Sequence, residues 1–140
     1  MADQEIFRDA LYKEIDLIQD IIRRMASNSF MIKGWSITLV VATLLLKGSK
    51  YQVSIALIPL FSFWVLDAYF IRQERLYRKL YEWVIANRLK TEDYLFDLNA
   101  YRFTANVQST FRIMFSTTLA WFYLLVFILI MAYLGYLFII

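Results

Sequence analysis

The chain has 140 residues, enough for one compact domain, and apolar residues make up 61 % of it, against about 45–50 % in soluble domains. Three glycines and one proline leave little turn-forming chemistry, which favours long helices over strands. The sequence contains no cysteine and no histidine, which excludes disulfides and Cys-ligated metals and removes the commonest general base. The composition therefore predicts an all-α integral membrane protein that forms a single domain over residues 1–140.

Residues 4–28 are predicted to form an N-terminal amphipathic helix. Its apolar residues recur at spacings of three and four, which keeps them on one helix face. These residues are Phe7, Leu11, Ile15, Ile18, Ile22 and Met25. The sequence ASNS at 26–29 indicates a hinge or cap before the next segment. Because the N-terminus is charged and acidic, we expect no cleavable signal peptide.

Two apolar segments, 30–46 and 51–71, are predicted to form a transmembrane helical hairpin with the turn KGSK at 47–50. The first span is short against the roughly 20 residues that cross hydrocarbon, and it gains length if Lys33 extends its amine toward the headgroups. Pro59 lies inside the second span. A proline there should kink the helix or free the carbonyl four residues earlier.

The second span is expected to continue as a cytoplasmic helix over 72–90, and KTEDY at 90–94 indicates a break. Residues 91–112 are interpreted as a connector, a turn followed by a helical lead-in. Residues 113–140 carry no charge, and at about 42 Å of helix they exceed the hydrocarbon core of roughly 30 Å. They are predicted to be the third transmembrane helix.

The distribution of positive charge predicts the orientation. Two of the 15 Lys and Arg residues lie in the 47–50 turn, and the others lie on the opposite side of the predicted spans. The positive-inside rule then places the N-terminus in the cytoplasm and the C-terminus on the outer side.

Asp67 is an acid inside an otherwise apolar segment, which makes it a candidate functional residue. A hairpin folded about residues 48–49 brings Lys33 and Asp67 to nearly equal depth, so we expect them to pair. The pair could hold the hairpin in register. Alternatively, it could take part in a proton or ion relay, or act as a switch whose opening loosens the bundle.

A basic and aromatic segment follows Asp67. Its candidate residues are Arg72, Arg75, Arg78 and Lys79, with Tyr77 and Tyr81 between and after them. Positive charge beside aromatic rings suits anionic lipid headgroups. It would also suit a phosphate-bearing ligand, because arginine binds phosphate bidentately and rings stack on bases. A membrane anchor and a ligand site therefore remain as alternatives.

Small hydroxyl residues recur at near-integral helical turns in the predicted spans. They are Ser36, Thr43, Ser54 and Ser62. In a pore they would line water, whereas in an ordinary bundle they bond the carbonyl four residues earlier or link helices. No residues form a catalytic constellation or a metal site, and Glu92, Asp93 and Asp97 are interpreted as an exposed acidic turn. We therefore expect a non-enzymatic protein without a cofactor.

The segment LDAYFIRQERLYRKLY, preceded by an amphipathic helix and a short hairpin, resembles the SLATT-like group of small bacterial membrane effectors. The resemblance is architectural and covers about residues 5–90, whereas the third span and the lack of a fused sensor domain depart from the group. It implies a bacterial inner-membrane location, with the C-terminus in the periplasm. It also implies a role in antiphage or nucleotide-signalling systems, in which the membrane is permeabilised when a sensor fires.

Three functions remain open. The chain could be an effector that forms homo-oligomers and permeabilises the membrane, since one three-span chain is too thin to enclose an aqueous path. It could instead be an anchor or regulatory subunit that binds a cytoplasmic partner, or a sensor of a nucleotide ligand through its basic and aromatic helix. The expected partners are the lipid bilayer, further copies of the chain and a separate sensor protein or nucleotide, but no nucleic acid polymer.

Overall fold

The computed structural model describes residues 2–45 and 50–139, and 86 % of it is helical. The helices are α1 (Ala2–Leu45), α2 (Lys50–Ile55), α3 (Leu57–Asn87), α4 (Thr110–Met114) and α5 (Thr117–Ile139), with a 3-10 helix at Ala100–Asn106. No strand occurs in these two ranges, which confirms the all-α prediction for them. The centre of the predicted turn, residues 47–49, lies outside the described residues.

Helix α1 is continuous through ASNS, so the predicted hinge or cap at 26–29 is wrong. Ser and Asn are less favourable in a helix than Ala by well under about 1 kcal/mol each. Such small penalties do not interrupt a helix that packs along most of its length. The two predicted elements, 4–28 and 30–46, therefore belong to one helix of 44 residues.

The predicted effect of Pro59 is present. Without an N–H group, Pro59 cannot bond the carbonyl of Ile55, and α2 ends at that residue. Ala56 forms a turn whose N–H donates to the Val53 carbonyl at 3.1 Å, and α3 then begins at Leu57. One proline therefore divides the predicted second span into a short helix and a long one.

The segment after α3 also differs from the prediction at its boundaries. Helix α3 ends at Asn87, close to the predicted break at 90–94. The third apolar helix begins at Thr117 instead of 113, because α4 is a separate helix. Ser109 caps α4, since its hydroxyl accepts a hydrogen bond from the Arg112 N–H.

Residue contacts divide the described chain into two units. The first unit contains residues 2–27 and 71–108. Its core consists of Ile18, Leu76, Leu80, Val84 and Ala100. The predicted apolar face of the first helix is confirmed, since its residues 7, 11, 15, 18, 22 and 25 are all buried or half-buried.

The second unit contains residues 28–45, 50–70 and 109–139. Three helical stretches are long and apolar enough to span a membrane: Glu5–Leu45, Val53–Asn87 and Thr117–Ile139. In the most apolar window of each, 22 % of the residues are buried. Most apolar side chains of these windows therefore face outward, as lipid contact would require.

Candidate functional site

The second unit contains a buried polar layer centred on Asp67. Asp67 is fully buried, and Lys33 Nζ lies 2.7 Å from its Oδ2 atom. The Ser29 hydroxyl donates to Oδ1, and Lys33 Nζ also donates to Ser29 Oγ at 2.9 Å. The Tyr123 hydroxyl lies 3.1 Å from Oδ2. We call Ser29, Lys33, Asp67 and Tyr123 the Asp67 layer; the contact predicted between Lys33 and Asp67 is present in it.

The Asp67 layer joins three helices. Ser29 and Lys33 lie one turn apart on α1, Asp67 lies on α3, and Tyr123 lies on α5. The Tyr123 ring stacks on Trp64 with the ring centroids 5.6 Å apart and the planes at 11°. This stacking fixes the direction of the hydroxyl. A buried carboxylate with one cation and two hydroxyl donors is well satisfied, which makes its burial among apolar helices tolerable.

Two members of the layer were not predicted from the sequence. Ser29 carried a usable signal, because it lies four residues before Lys33 and so on the same helix face. Tyr123 carried none. It is one of many aromatic residues in the charge-free segment 113–140, yet it is fully buried.

The four predicted hydroxyl residues do not share one surface of the single chain. Ser36 is fully buried and its hydroxyl has no hydrogen-bond partner, whereas Ser54 and Ser62 are exposed. Thr43 and Ser62 donate to the carbonyls of Leu39 and Ile58 at 2.8 and 2.9 Å. Bonding of this kind is typical of packed or lipid-facing helices. A pore-lining role for these residues stays a prediction.

A second buried ionic group lies in the first unit, between Glu14 and Arg88. Arg88 is fully buried, and all five of its N–H groups have acceptors. Nε and Nη2 donate to the two carboxylate oxygens of Glu14, and Nη2 also donates to the Tyr94 carbonyl at 3.0 Å. Nη1 donates to the carbonyls of Thr91 and Asp93 at 3.1 and 2.9 Å. We call Glu14 and Arg88 the Glu14–Arg88 clamp.

The clamp fixes the loop that follows α3. Glu14 Oε1 accepts a further hydrogen bond from the Phe96 N–H at 2.7 Å. Tyr94 and Phe96 have φ angles of 59° and 57°, a left-handed conformation that costs a non-glycine residue about 1–2 kcal/mol. Despite this cost, the loop presents Tyr94, Leu95 and Phe96 to the surface, each more than 40 % exposed. The loop conformation therefore depends on the buried ion pair.

The clamp was missed because each residue looks ordinary in its own helix. Leu76, Leu80 and Val84 recur every four residues on α3, and Arg88 occupies the next position in that row. Glu14 similarly lies between Leu11 and Ile18 on the apolar face of α1. On both helices, a charged residue within a row of apolar residues could have indicated a buried charge.

The basic and aromatic residues separate on α3. Arg72 Nε donates to the Gln108 carbonyl and Arg75 Nη1 donates to Gln108 Oε1, both at 3.3 Å. Tyr77 and Tyr81 instead pack against the apolar core of the first unit. The tyrosines therefore face the core, although they alternate with the basic residues in sequence.

The two other basic residues of this set form ion pairs within α3. Arg78 pairs with Glu74 at 2.7 Å, and Lys79 pairs with Glu82 at 2.6 Å. Lys79 and Glu82 are both exposed, and Arg78 is exposed although Glu74 is mostly buried, so solvent screens both pairs and each contributes about 1 kcal/mol or less. Arg72 and Arg75 are thus the cations of this set without a carboxylate partner among the residues described.

Comparison with known proteins finds no family model, no curated protein and no solved structure that matches this chain. Within residues 2–45 and 50–139, no group of three or more acidic, His or Cys residues could hold a metal ion. The site must therefore be interpreted from its own geometry, which provides buried ion pairs and an exposed cationic surface.

Proposed function

We propose that the chain is a non-enzymatic integral protein of the bacterial inner membrane that forms homo-oligomers and permeabilises the membrane. The observation that carries the proposal is the Asp67 layer, a charged group shared by three helices that each contain a long apolar stretch with few buried residues. The layer gives the bundle a charged connection whose loss would free its helices to rearrange. The architectural resemblance to SLATT-like effectors favours antiphage defence as the setting.

Outward-facing apolar surface supports both insertion and assembly. With 22 % of each apolar window buried in one copy, the helices can contact lipid or further copies of the chain. Three helices do not enclose an aqueous path, so permeabilisation requires several copies. In this proposal the first unit lies in the cytoplasm, as the distribution of Lys and Arg predicts.

Induced expression in bacterial cells tests the effector function. We expect the wild-type chain to depolarise the membrane, measured with a potential-sensitive dye, and Asp67→Asn to change the response by weakening the link to Lys33. Asp16→Asn, an exposed position on α1, is the matched control and should behave like the wild type. Cells that keep their membrane potential with every variant at equal membrane abundance would argue against an effector.

The oligomeric state provides an independent test. The mass of the purified chain in lipid nanodiscs should correspond to several copies, and fluorescent fusions should place the two termini on opposite sides of the membrane. A strictly monomeric chain is incompatible with a pore made from these helices.

An anchor or regulatory subunit is the second candidate, and the exposed loop of the first unit favours it. The Glu14–Arg88 clamp holds Tyr94, Leu95 and Phe96 at the surface, and a large exposed apolar group often marks a contact with another protein. An anchor should co-purify with one cytoplasmic protein in fixed stoichiometry. Leu95→Asp should release that protein, whereas Thr104→Asp, at another exposed position of the unit, should retain it.

A further inference from the structure

We propose that Arg72 and Arg75 bind the phosphate group of an anionic lipid headgroup, with Gln108 holding both arginines in position. This inference rests on the proposed insertion in the membrane and adds a ligand to it. The site lies wholly within the first unit. It consists of the part of α3 that begins at residue 71 and of the segment that ends at Gln108.

The arginines are oriented but not neutralised. Arg72 donates one N–H, from Nε, to the Gln108 carbonyl, and Arg75 donates one N–H, from Nη1, to Gln108 Oε1. Gln108 is uncharged, and within the described chain no carboxylate lies within ion-pair distance of either guanidinium. Each arginine thus keeps four N–H donors and its full charge. A guanidinium with adjacent free donors binds phosphate, as it binds carboxylate, through two parallel hydrogen bonds.

A cavity of about 210 Å³ lies beside Arg75. It is lined by Arg75, Arg78, Lys79, Glu82, Asn106, Val107 and Gln108. The carboxylate of Glu82 is paired with Lys79, so the lining keeps an excess of positive charge. The Asn106 side chain supplies a further amide group. The cavity is large enough for a phosphate and its ester group but small for an extended ligand, since typical small-molecule sites are about 300–1,000 Å³.

The position of the site in the chain favours a lipid over a soluble phosphate. Arg72 follows Ile71, the first residue of this unit after the apolar segment 50–70, and Gln108 is its last residue before the apolar segment that contains α5. One wall of the site therefore begins where an apolar segment ends, and the other wall ends at Gln108, nine positions before α5 begins at Thr117. If those segments span the bilayer, the arginines lie at headgroup depth, where an anionic surface attracts cations.

The test measures binding of phosphatidylglycerol and phosphatidylcholine to the full chain in detergent micelles by native mass spectrometry. We expect preferential retention of phosphatidylglycerol. In Arg72→Gln combined with Arg75→Gln, its affinity should fall about 30-fold, since two cations contribute about 1 kcal/mol each. Gln108→Ala should cause a smaller loss, because it releases Arg75 without removing its charge and leaves the backbone carbonyl that binds Arg72.

The matched control is Arg8→Gln combined with Lys13→Gln. These substitutions remove two exposed charges from the first turns of α1 and should leave phosphatidylglycerol binding within twofold of the wild type. If the control loses as much affinity as the Arg72 and Arg75 variant, net charge explains the binding and the site is refuted. Undiminished binding in the Arg72 and Arg75 variant refutes it as well.

Two further measurements are needed. One tests whether the bound phosphate belongs to a lipid or to a soluble molecule, and the other tests whether the chain is inserted in the membrane. Inorganic phosphate and ATP, each added at the concentration at which phosphatidylglycerol saturates the site, should not displace the bound lipid. Displacement by either would overturn the lipid assignment. Alkaline carbonate extraction of cell membranes tests insertion by itself. A chain that resists extraction but shows no lipid preference overturns this site and leaves the proposed function standing, whereas an extracted chain overturns both.

Discussion

Substitution of Glu14 is the sharpest test of how the first unit is built. Glu14→Ala removes two hydrogen bonds to Arg88 and one to the Phe96 N–H. It also leaves a fully buried guanidinium without its counter-charge. Arginine does not lose its proton in a protein, so the charge cannot be relieved by deprotonation.

The expected loss follows from that geometry. Breaking a buried ion pair by removing one partner costs about 3–5 kcal/mol, which is a large part of the roughly 5–15 kcal/mol that stabilises a typical domain. A loss of this size should lower the melting temperature in detergent micelles by roughly 10 °C or more. It should also abolish the protection of the Phe96 amide from hydrogen exchange.

A double variant and a control separate the ion pair from the rest of the helix. Glu14→Leu combined with Arg88→Met removes both charges and should destabilise the protein less than Glu14→Ala does, although the loop still loses its hydrogen bonds. Asp16→Ala, at an exposed position of α1, should change the stability by at most about 0.5 kcal/mol. If Glu14→Ala behaves like Asp16→Ala, the buried ion pair does not hold the loop.

Three other substitutions test separate parts of the structure. At position 96, where φ is 57°, the Phe96→Gly variant should be more stable than the Phe96→Ala variant by about 1 kcal/mol in chemical unfolding. Usually the alanine variant is the more stable of the two, and that order here would show that the backbone strain is absent. Tyr123→Phe removes a hydrogen bond to Asp67 and should destabilise the micelle-bound protein by about 0.6–1.7 kcal/mol. Tyr136→Phe, at an exposed position, should not destabilise it. Equal effects of the two substitutions would contradict the Asp67 layer. Pro59→Ala should give residue 59 an amide protected from exchange by the Ile55 carbonyl, and rapid exchange there would show that proline does not cause the break.

Much of the fold follows from local pattern. The spacing of apolar residues on α1 predicts which face is buried, and the missing N–H of Pro59 predicts where the predicted second span divides. Boundaries at 26–29 and 113–117 were misjudged. Small propensity differences do not decide them against the packing of the whole helix.

Only the contact of the candidate site that follows from the geometry of a short hairpin could be predicted from the sequence. Lys33 and Asp67 could be paired because a tight hairpin relates positions on its two arms. Tyr123 reaches the same carboxylate from a helix 56 residues away, and Glu14 and Arg88 are 74 residues apart. Such contacts depend on how the elements pack together, and no local pattern encodes that packing.

The Asp67 layer also has a consequence for biogenesis. A charged side chain entering the bilayer by itself costs about 2.5–3.5 kcal/mol when it lies at the centre of a span, and an ion pair formed beforehand reduces that penalty. The arms that carry Lys33 and Asp67 should therefore enter the membrane together, before α5 has been synthesised. Tyr123 would complete the layer afterwards. A chain truncated after residue 108 should then insert with the wild-type sequence but fail with Lys33→Asp. Glycosylation-site reporters introduced at residues 47–50 can measure the difference.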